Sequence, residues 1–296
     1  MSEQIFYIVD VFAIDRYTGN PLAVFAHAGG LSDGEMQVLA KEMNYSETTF
    51  ILGDRQANNG YDVRIFTPQK ELDFAGHPTL GTAYIISQYL QDVSRSPINL
   101  NLKVGQIPVT FEEEGENPLL WMRQNPPSFQ KEYSPKAIAE CLSLNLEDID
   151  SRFPIQEVST GIPFIMVPLK NHTALKRARV DRDRCFNFFS SNETQEILIF
   201  CPETYSPANQ LSVRVFCEAF GIPEDPATGS ANGCLAGYLA RYDYFGDRPI
   251  DIRVEQGYEI DRPSLLFLKA TKINDIIEVF VGGKVFQIAK GELLQS

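Results

Sequence analysis

The sequence is poor in the residues that hold metals and cofactors. Its 296 residues include only three histidines, His27, His77 and His172, far apart and without ligand spacing, so a metal site is not expected. The five cysteines, Cys141, Cys185, Cys201, Cys217 and Cys234, are odd in number and form neither a C-x-x-C pair nor a zinc pattern. A reduced, cytoplasmic compartment fits that set best. No run approaches the roughly 18 consecutive apolar residues of a membrane helix. Neither a G-x-G-x-x-G turn nor a Walker loop occurs, so a nucleotide cofactor is not expected. The N-terminal MSEQIFYIVDVF has no basic segment and no small-residue cleavage site; it reads as a first strand rather than a signal peptide. Positive charge is scarce: 26 Lys and Arg stand against 39 Asp and Glu, a formal net charge of -13. Such a surface repels nucleic acid and acidic membranes, and its simplest meaning is solubility.

What remains is ordinary globular material. Hydrophobic residues make up 44% of the chain, enough for a sizeable core, and the length suits two domains. The first half reads as strands at 5–13, 22–26, 48–52, 61–66, 100–104 and 109–113. Between them a helix over 33–43 starts at the capping box Ser32–Glu35, with Val38, Leu39 and Met43 on one face, and a second helix runs over 78–90. Gly115-Glu-Asn-Pro118, the short strand 119–123 and Asn125-Pro-Pro127 mark the crossing between halves. The second half reads as a helix over 135–144 capped by Ser134 and strands at 155–159, 164–168, 197–201 and 211–216. A helix from Pro226 or Gly229 to about Arg241 and a β-rich end follow. Gly282-Gly283 suggests a two-residue hairpin turn there.

The halves repeat one another. Thr18-Gly-Asn-Pro-Leu-Ala-Val24 resembles Thr160-Gly-Ile-Pro-Phe-Ile-Met166, and Val63-Arg-Ile-Phe66 resembles Val213-Arg-Val-Phe216. His77-Pro-Thr-Leu-Gly-Thr-Ala83 resembles Asp225-Pro-Ala-Thr-Gly-Ser-Ala231. The matches keep one order and similar spacing, 59 residues from Thr18 to His77 and 65 from Thr160 to Asp225. A unit this long implies two lobes rather than a solenoid.

Proline is well tolerated at the first position of a helix, which makes His77 and Asp225 the expected N-caps of equivalent helices. A helix start offers unpaired N–H groups and partial positive charge, and suits a carboxylate or an enolate-like anion. If the lobes are related by a pseudo-twofold, the two starts face one substrate. Capping alone would also explain an Asp there; His is a poorer cap. Glu47, in Asn44-Tyr-Ser-Glu-Thr-Thr-Phe50, sits between a helix and a strand, where burial could make a carboxyl group a proton shuttle. On the residues alone a solvated loop glutamate is the favoured reading.

At these residues the chain resembles the PhzF family of phenazine-biosynthesis isomerases. The matching pieces are Val9-Asp-Val-Phe12 with Gly19-Asn-Pro-Leu22, Asn44 to Phe50, Asp73-Phe-Ala-Gly-His-Pro-Thr-Leu-Gly-Thr-Ala83, and Glu224-Asp-Pro-Ala-Thr-Gly-Ser-Ala231. The resemblance implies an α+β, diaminopimelate epimerase-like fold: two pseudo-twofold-related lobes, each a barrel-like, mostly antiparallel sheet around a central helix, with the site between them. The expected lobes are 1–117, completed by a C-terminal strand at about 283–296, and 118–282. The resemblance also implies a homodimer that needs no cofactor or metal. It places the acid/base glutamate on Glu47, the site histidine on His77 and the aspartate on Asp225. Ser46, Gly76, Gly229 and Ser230 fall at substrate-contacting positions.

The expected chemistry is a proton shift on a small cyclic or unsaturated carboxylate. A two-thiol racemase is disfavoured, because Gly76-His77 and Asp225-Pro226-Ala227 stand where related epimerases carry cysteines. A serine hydrolase using Ser230 lacks a G-x-S-x-G elbow. A binding protein for small carboxylates would look the same in sequence; only solvent proton exchange into the ligand separates it from an enzyme.

Overall fold

The structure is a computed structural model, and it describes residues 4–90, 97–112, 118–190, 194, 196–217, 222–274 and 276–294. Gly115–Asn117 of the expected crossing, and the boundary drawn at 117, lie outside the described residues. The chain divides into two compact units, residues 1–123 with 282–296, and residues 124–281.

In the first unit, strand Gln4–Val11 pairs antiparallel with both Asn20–Phe25 and Val285–Leu293. Asn20–Phe25 lies parallel to Thr48–Ile51, which pairs antiparallel with Gly60–Phe66. Gly60–Phe66 then pairs antiparallel with Glu71–Leu72 and parallel with Ile98–Leu102, which turns back into Gly105–Glu112. The second unit repeats this order of pairings. Gln156–Ser159 is antiparallel to Pro163–Pro168, and that strand is parallel to Ile197–Cys201. Ile197–Cys201 is antiparallel to Leu211–Cys217, which pairs antiparallel with Ile222–Asp225 and parallel with Ile250–Gln256. Ile250–Gln256 turns back into Ser264–Ile273. The sequence repeat is therefore a repeat of topology, and the fold is α+β, dominated by sheet.

Each unit wraps its strands around one helix, Gly76–Tyr89 in the first and Gly229–Arg241 in the second. Gly76 to Ala83 are all buried, as are Gly229 to Ala240. A helix buried on every side shows no amphipathic stripe, and small residues let the sheet approach it closely. At Gly81 an added Cβ would stand 2.6 Å from Leu22 Cδ2 and 2.9 Å from Val11 Cγ2. A surface helix, Asp33–Met43, shows the opposite pattern. Its capping box is formed, with Ser32 N–H donating to Glu35 Oε2 at 2.7 Å. Met36 and Ala40, one turn apart, face the core, with Leu39 and Met43 beside them. Val38 points away at 67% exposure, so the face expected from sequence is displaced.

Three further expectations change. Gly282-Gly283 is not a hairpin turn; both belong to strand Ile276–Gly283. Their lack of a side chain admits aromatic rings instead: a Cβ at Gly282 would lie 2.6 Å from the Trp121 ring, and one at Gly283 would overlap Phe12. The strand Ser128–Glu132, the helices His172–Arg177 and Arg182–Ser190, and the shorter helix Pro135–Cys141 also differ from the pattern read in sequence. Finally, Cys141 and Cys185 form a disulfide, their Cα atoms 4.7 Å apart, although all five thiols were expected to be reduced. The 44-residue separation carries no local signature; helix packing at Pro135–Cys141 and Arg182–Ser190 brings the pair together. Cys201, Cys217 and Cys234 are buried thiols.

Two outcomes follow from this packing. Thiol titration of the denatured, unreduced chain should count three thiols, rising to five after reduction. Gly81→Ala should lower unfolding stability by about 1–3 kcal/mol in a urea titration, because the helix and the Val11–Leu22 wall must separate.

Candidate active site

His77 and Asp225 occupy different places from those expected. The first helix begins at Gly76 with Ala75 as N-cap, so His77 and Pro78 lie inside its first turn. Pro78 is harmless there, because the first four N–H groups of a helix have no intrahelical partner. Thr79 Oγ1 donates to Ala75 O at 2.7 Å and ties off the turn. The second helix begins at Gly229 with Thr228 as N-cap, and Asp225 is the last residue of a strand. Strand pairing of Asp225 with Val215 holds the chain extended to that point, in keeping with the restriction proline places on its predecessor. Neither residue is a cap, and no side chain caps either helix start.

In the first unit the strand Thr48–Ile51 delivers Glu47 to this helix. Thr49 Oγ1 and Thr82 Oγ1 share a buried hydrogen bond of 2.8 Å, which locks the strand to the helix one turn beyond His77. Glu47 Oε2 then lies 3.5 Å from His77 Nε2, with side-chain exposures of 15% and 5%. Burial pushes the His77 imidazole from its ordinary value of 6.5 down to about 3. At neutral pH it is therefore a neutral ring beside a carboxyl group. Ser46, the neighbour of Glu47, donates from Oγ to Asn20 Oδ1 at 3.1 Å. Asn20 is fully buried within the Thr18–Pro21 turn motif, a role its sequence context left unmarked. Gly76 is buried at the helix start.

The second unit holds Asp225, Gly229 and Ser230, all buried. Thr228 donates from Oγ1 to Asp225 Oδ2. Gln256, at the end of strand Ile250–Gln256, reaches across to the same turn, and Asn232 joins it from the helix with a 2.9 Å bond. Thr228 lies inside the motif read from sequence, whereas Gln256 and Asn232 carry no local signal. Just ahead of Asp225, Glu224 pairs in two bonds with Arg214, at 2.9 and 2.7 Å, and both side chains are buried. Arg64 and Glu71 make the same two-bond pair in the first unit, at 2.8 and 2.9 Å. Each arginine also stacks on a phenylalanine two residues along its strand, Phe66 or Phe216. Arg64 holds the Glu71 carboxyl down at about 2. Each helix start thus follows a strand end braced by a charged pair.

The whole chain matches one family. Residues 9–291 fit the phenazine biosynthesis-like protein family. The chain belongs to that family. It is 33% identical to the trans-2,3-dihydro-3-hydroxyanthranilate isomerase of Pseudomonas fluorescens, over 98% of this chain and 99% of the relative. An isomerase of Mesorhizobium japonicum is 30% identical over 99% of both. A PhzF-family structure from Bacillus anthracis superposes with a TM-score of 0.90 at 28% identity, covering all of both chains. A hydroxyproline epimerase from Agrobacterium vitis shares the fold, with a TM-score of 0.62 at 8% identity. The protein is thus an isomerase of the phenazine biosynthesis-like family, on the epimerase-type fold.

The thiol pair of a racemase has no counterpart at these positions. Cys234 lies on the second helix but is fully buried, and burial pushes its thiol up to about 12. Among the described residues no group of three or more His, Cys, Asp or Glu is arranged to hold a metal ion, and no helix is long and apolar enough to cross a membrane.

The unfolded chain takes up a proton on His77 near 6.5 and the folded chain only near 3, so folding is favoured fully above 6.5 and loses that contribution as pH falls toward 3. His77→Gln should flatten the loss of stability between about pH 6.5 and about pH 4, read from urea midpoints across that range.

Proposed function

We propose that this isomerase moves a proton on a small cyclic or unsaturated carboxylate, with Glu47 as the group that carries it. The approach of Glu47 to His77, both withdrawn from water, is the observation that supports this reading. A carboxyl group held at a neutral imidazole is of the type that removes and returns protons in general acid–base catalysis. Glu47 removes a proton from a carbon next to the unsaturated system and returns it at another carbon of the same system. Substrate and product then have the same formula, and neither an oxidant nor a cofactor is consumed. The relatives' named substrate, trans-2,3-dihydro-3-hydroxyanthranilate, is the first compound to offer.

The uncapped helix starts suit the negative charge of the substrate and of the anion formed on proton removal. His77 holds Glu47 in place by contact without adding charge. Ser46 and Gly76, and in the second unit Asp225, Gly229 and Ser230, are assigned to substrate binding and orientation. A homodimer is the assembly proposed for it.

With trans-2,3-dihydro-3-hydroxyanthranilate in deuterium oxide, the unaltered chain should form the isomer and incorporate deuterium. Glu47→Gln should reduce turnover by at least about 10³-fold while leaving the circular dichroism spectrum unchanged. Turnover retained by that variant would remove Glu47 from the mechanism. Binding without any deuterium incorporation by the unaltered chain would make it a carrier of small carboxylates instead.

A further inference from the structure

We propose that Gln256 is a positioning residue, which orients the Thr228 hydroxyl so that it donates to Asp225. The inference rests on the assignment of Asp225 to the substrate, and adds how that carboxyl group is kept ionised and aimed.

Gln256 is 1% exposed, and its carboxamide uses all four of its hydrogen-bonding positions. Its Oε1 accepts from Thr228 N at 3.2 Å and from Asn232 Nδ2 at 2.9 Å. Its Nε2 donates to Asp225 O at 2.8 Å and to Thr228 Oγ1 at 3.0 Å. Turning the amide over would set two donors against donors and a carbonyl against a carbonyl, so only this orientation is satisfied. Asn232 Nδ2 also donates to Thr228 O at 3.0 Å, which fixes its own orientation in turn.

The direction of the last bond follows. The Gln256 NH₂ group can only donate, so Thr228 Oγ1 must accept there and has its single proton for another partner. That partner is Asp225 Oδ2. An ionised carboxylate can only accept, so the arrangement is complete when Asp225 carries its charge. A hydrogen bond donated to an ionised carboxylate is stronger than one donated to a neutral carboxyl group. The relay therefore favours the ionised carboxylate and holds it at the turn preceding Gly229.

The test is a ¹³C-carboxyl titration of the full chain labelled at aspartate, with the Asp225 signal assigned by its loss in Asp225→Asn. Thr228→Val, which keeps the shape and removes the hydroxyl, should move the Asp225 titration to higher pH. Thr228→Ser should leave it where it is. In Gln256→Glu the new carboxylate accepts the Thr228 proton and turns it away from Asp225. In that background Thr228→Val should therefore add no further shift. Gln256→Met, which removes the donor and leaves the Thr228 hydroxyl unoriented, serves as a second background if the glutamate variant does not fold, with a smaller Thr228→Val shift expected there. No shift in Thr228→Val, or an equal shift in both backgrounds, would overturn the relay. Isomerisation by Asp225→Asn separates the two ideas: unchanged turnover there would refute the role of Asp225 in the reaction and leave the titration result standing.

Discussion

A helix whose opening turns are buried beneath sheet has to begin inside the protein. This holds twice in the chain, at Gly76 and at Gly229, and the remaining features of the candidate site depend on it. The first N–H groups of such a helix cannot turn to bulk water, and here no side chain caps them. Each helix start is instead approached by a strand end braced by a buried or half-buried arginine–glutamate pair, Arg64 with Glu71 and Arg214 with Glu224. The pairs bring cost as well as order. Removing one partner of a well-enclosed pair leaves a charge without compensation, at about 3–5 kcal/mol. That penalty ties the shape of the turn to the sheet behind it.

The two starts have diverged in chemistry while keeping topology. In the first, the helix begins early and draws His77 into its opening turn, where burial keeps the ring neutral beside Glu47. In the second, strand pairing delays the helix to Gly229 and leaves Asp225 on the strand, where Thr228 donates to its carboxyl group and Gln256 to its backbone oxygen. One copy thus holds a neutral ring in contact with a carboxyl group, and the other a carboxyl group that accepts from a neighbouring hydroxyl. Oxygen and nitrogen groups do this work; the thiols are buried, and two of the five are joined in a disulfide.

Much of this is legible in the sequence. The three repeated segments named the two central helices and the strands ahead of them, because a duplicated topology preserves turn glycines, prolines and the arginine that braces each strand. The Ser32 capping box placed the helix Asp33–Met43 at its observed bounds, since both of its bonds are local. Its buried face was misjudged because Val38 is apolar and exposed, and only packing against Phe25 and Phe50 selects Met36 and Ala40. The first helix starts at Gly76 rather than Pro78, and of the two starts open for the second, Pro226 and Gly229, it takes Gly229. A proline marks a place where a helix can begin, and strand pairing decides where it does.

The sequence by itself determined the family, the α+β class, the internal repeat and the residues around which chemistry was expected, because each of these is written in contiguous motifs. Tertiary structure decided what those residues touch. Glu47 and His77 are separated by a strand pair and a turn, and only the Thr49–Thr82 bond and the enclosed helix bring them to 3.5 Å. Gln256 stands 28 residues from Thr228 with no motif around it, and a parallel strand pairing carries it to the turn. Cys141 and Cys185 meet through helix packing across 44 residues. The physical reason is the same in each case. Capping and turn preferences act over a few residues and can be read along the chain, whereas desolvation and hydrogen-bond direction depend on neighbours that only folding supplies.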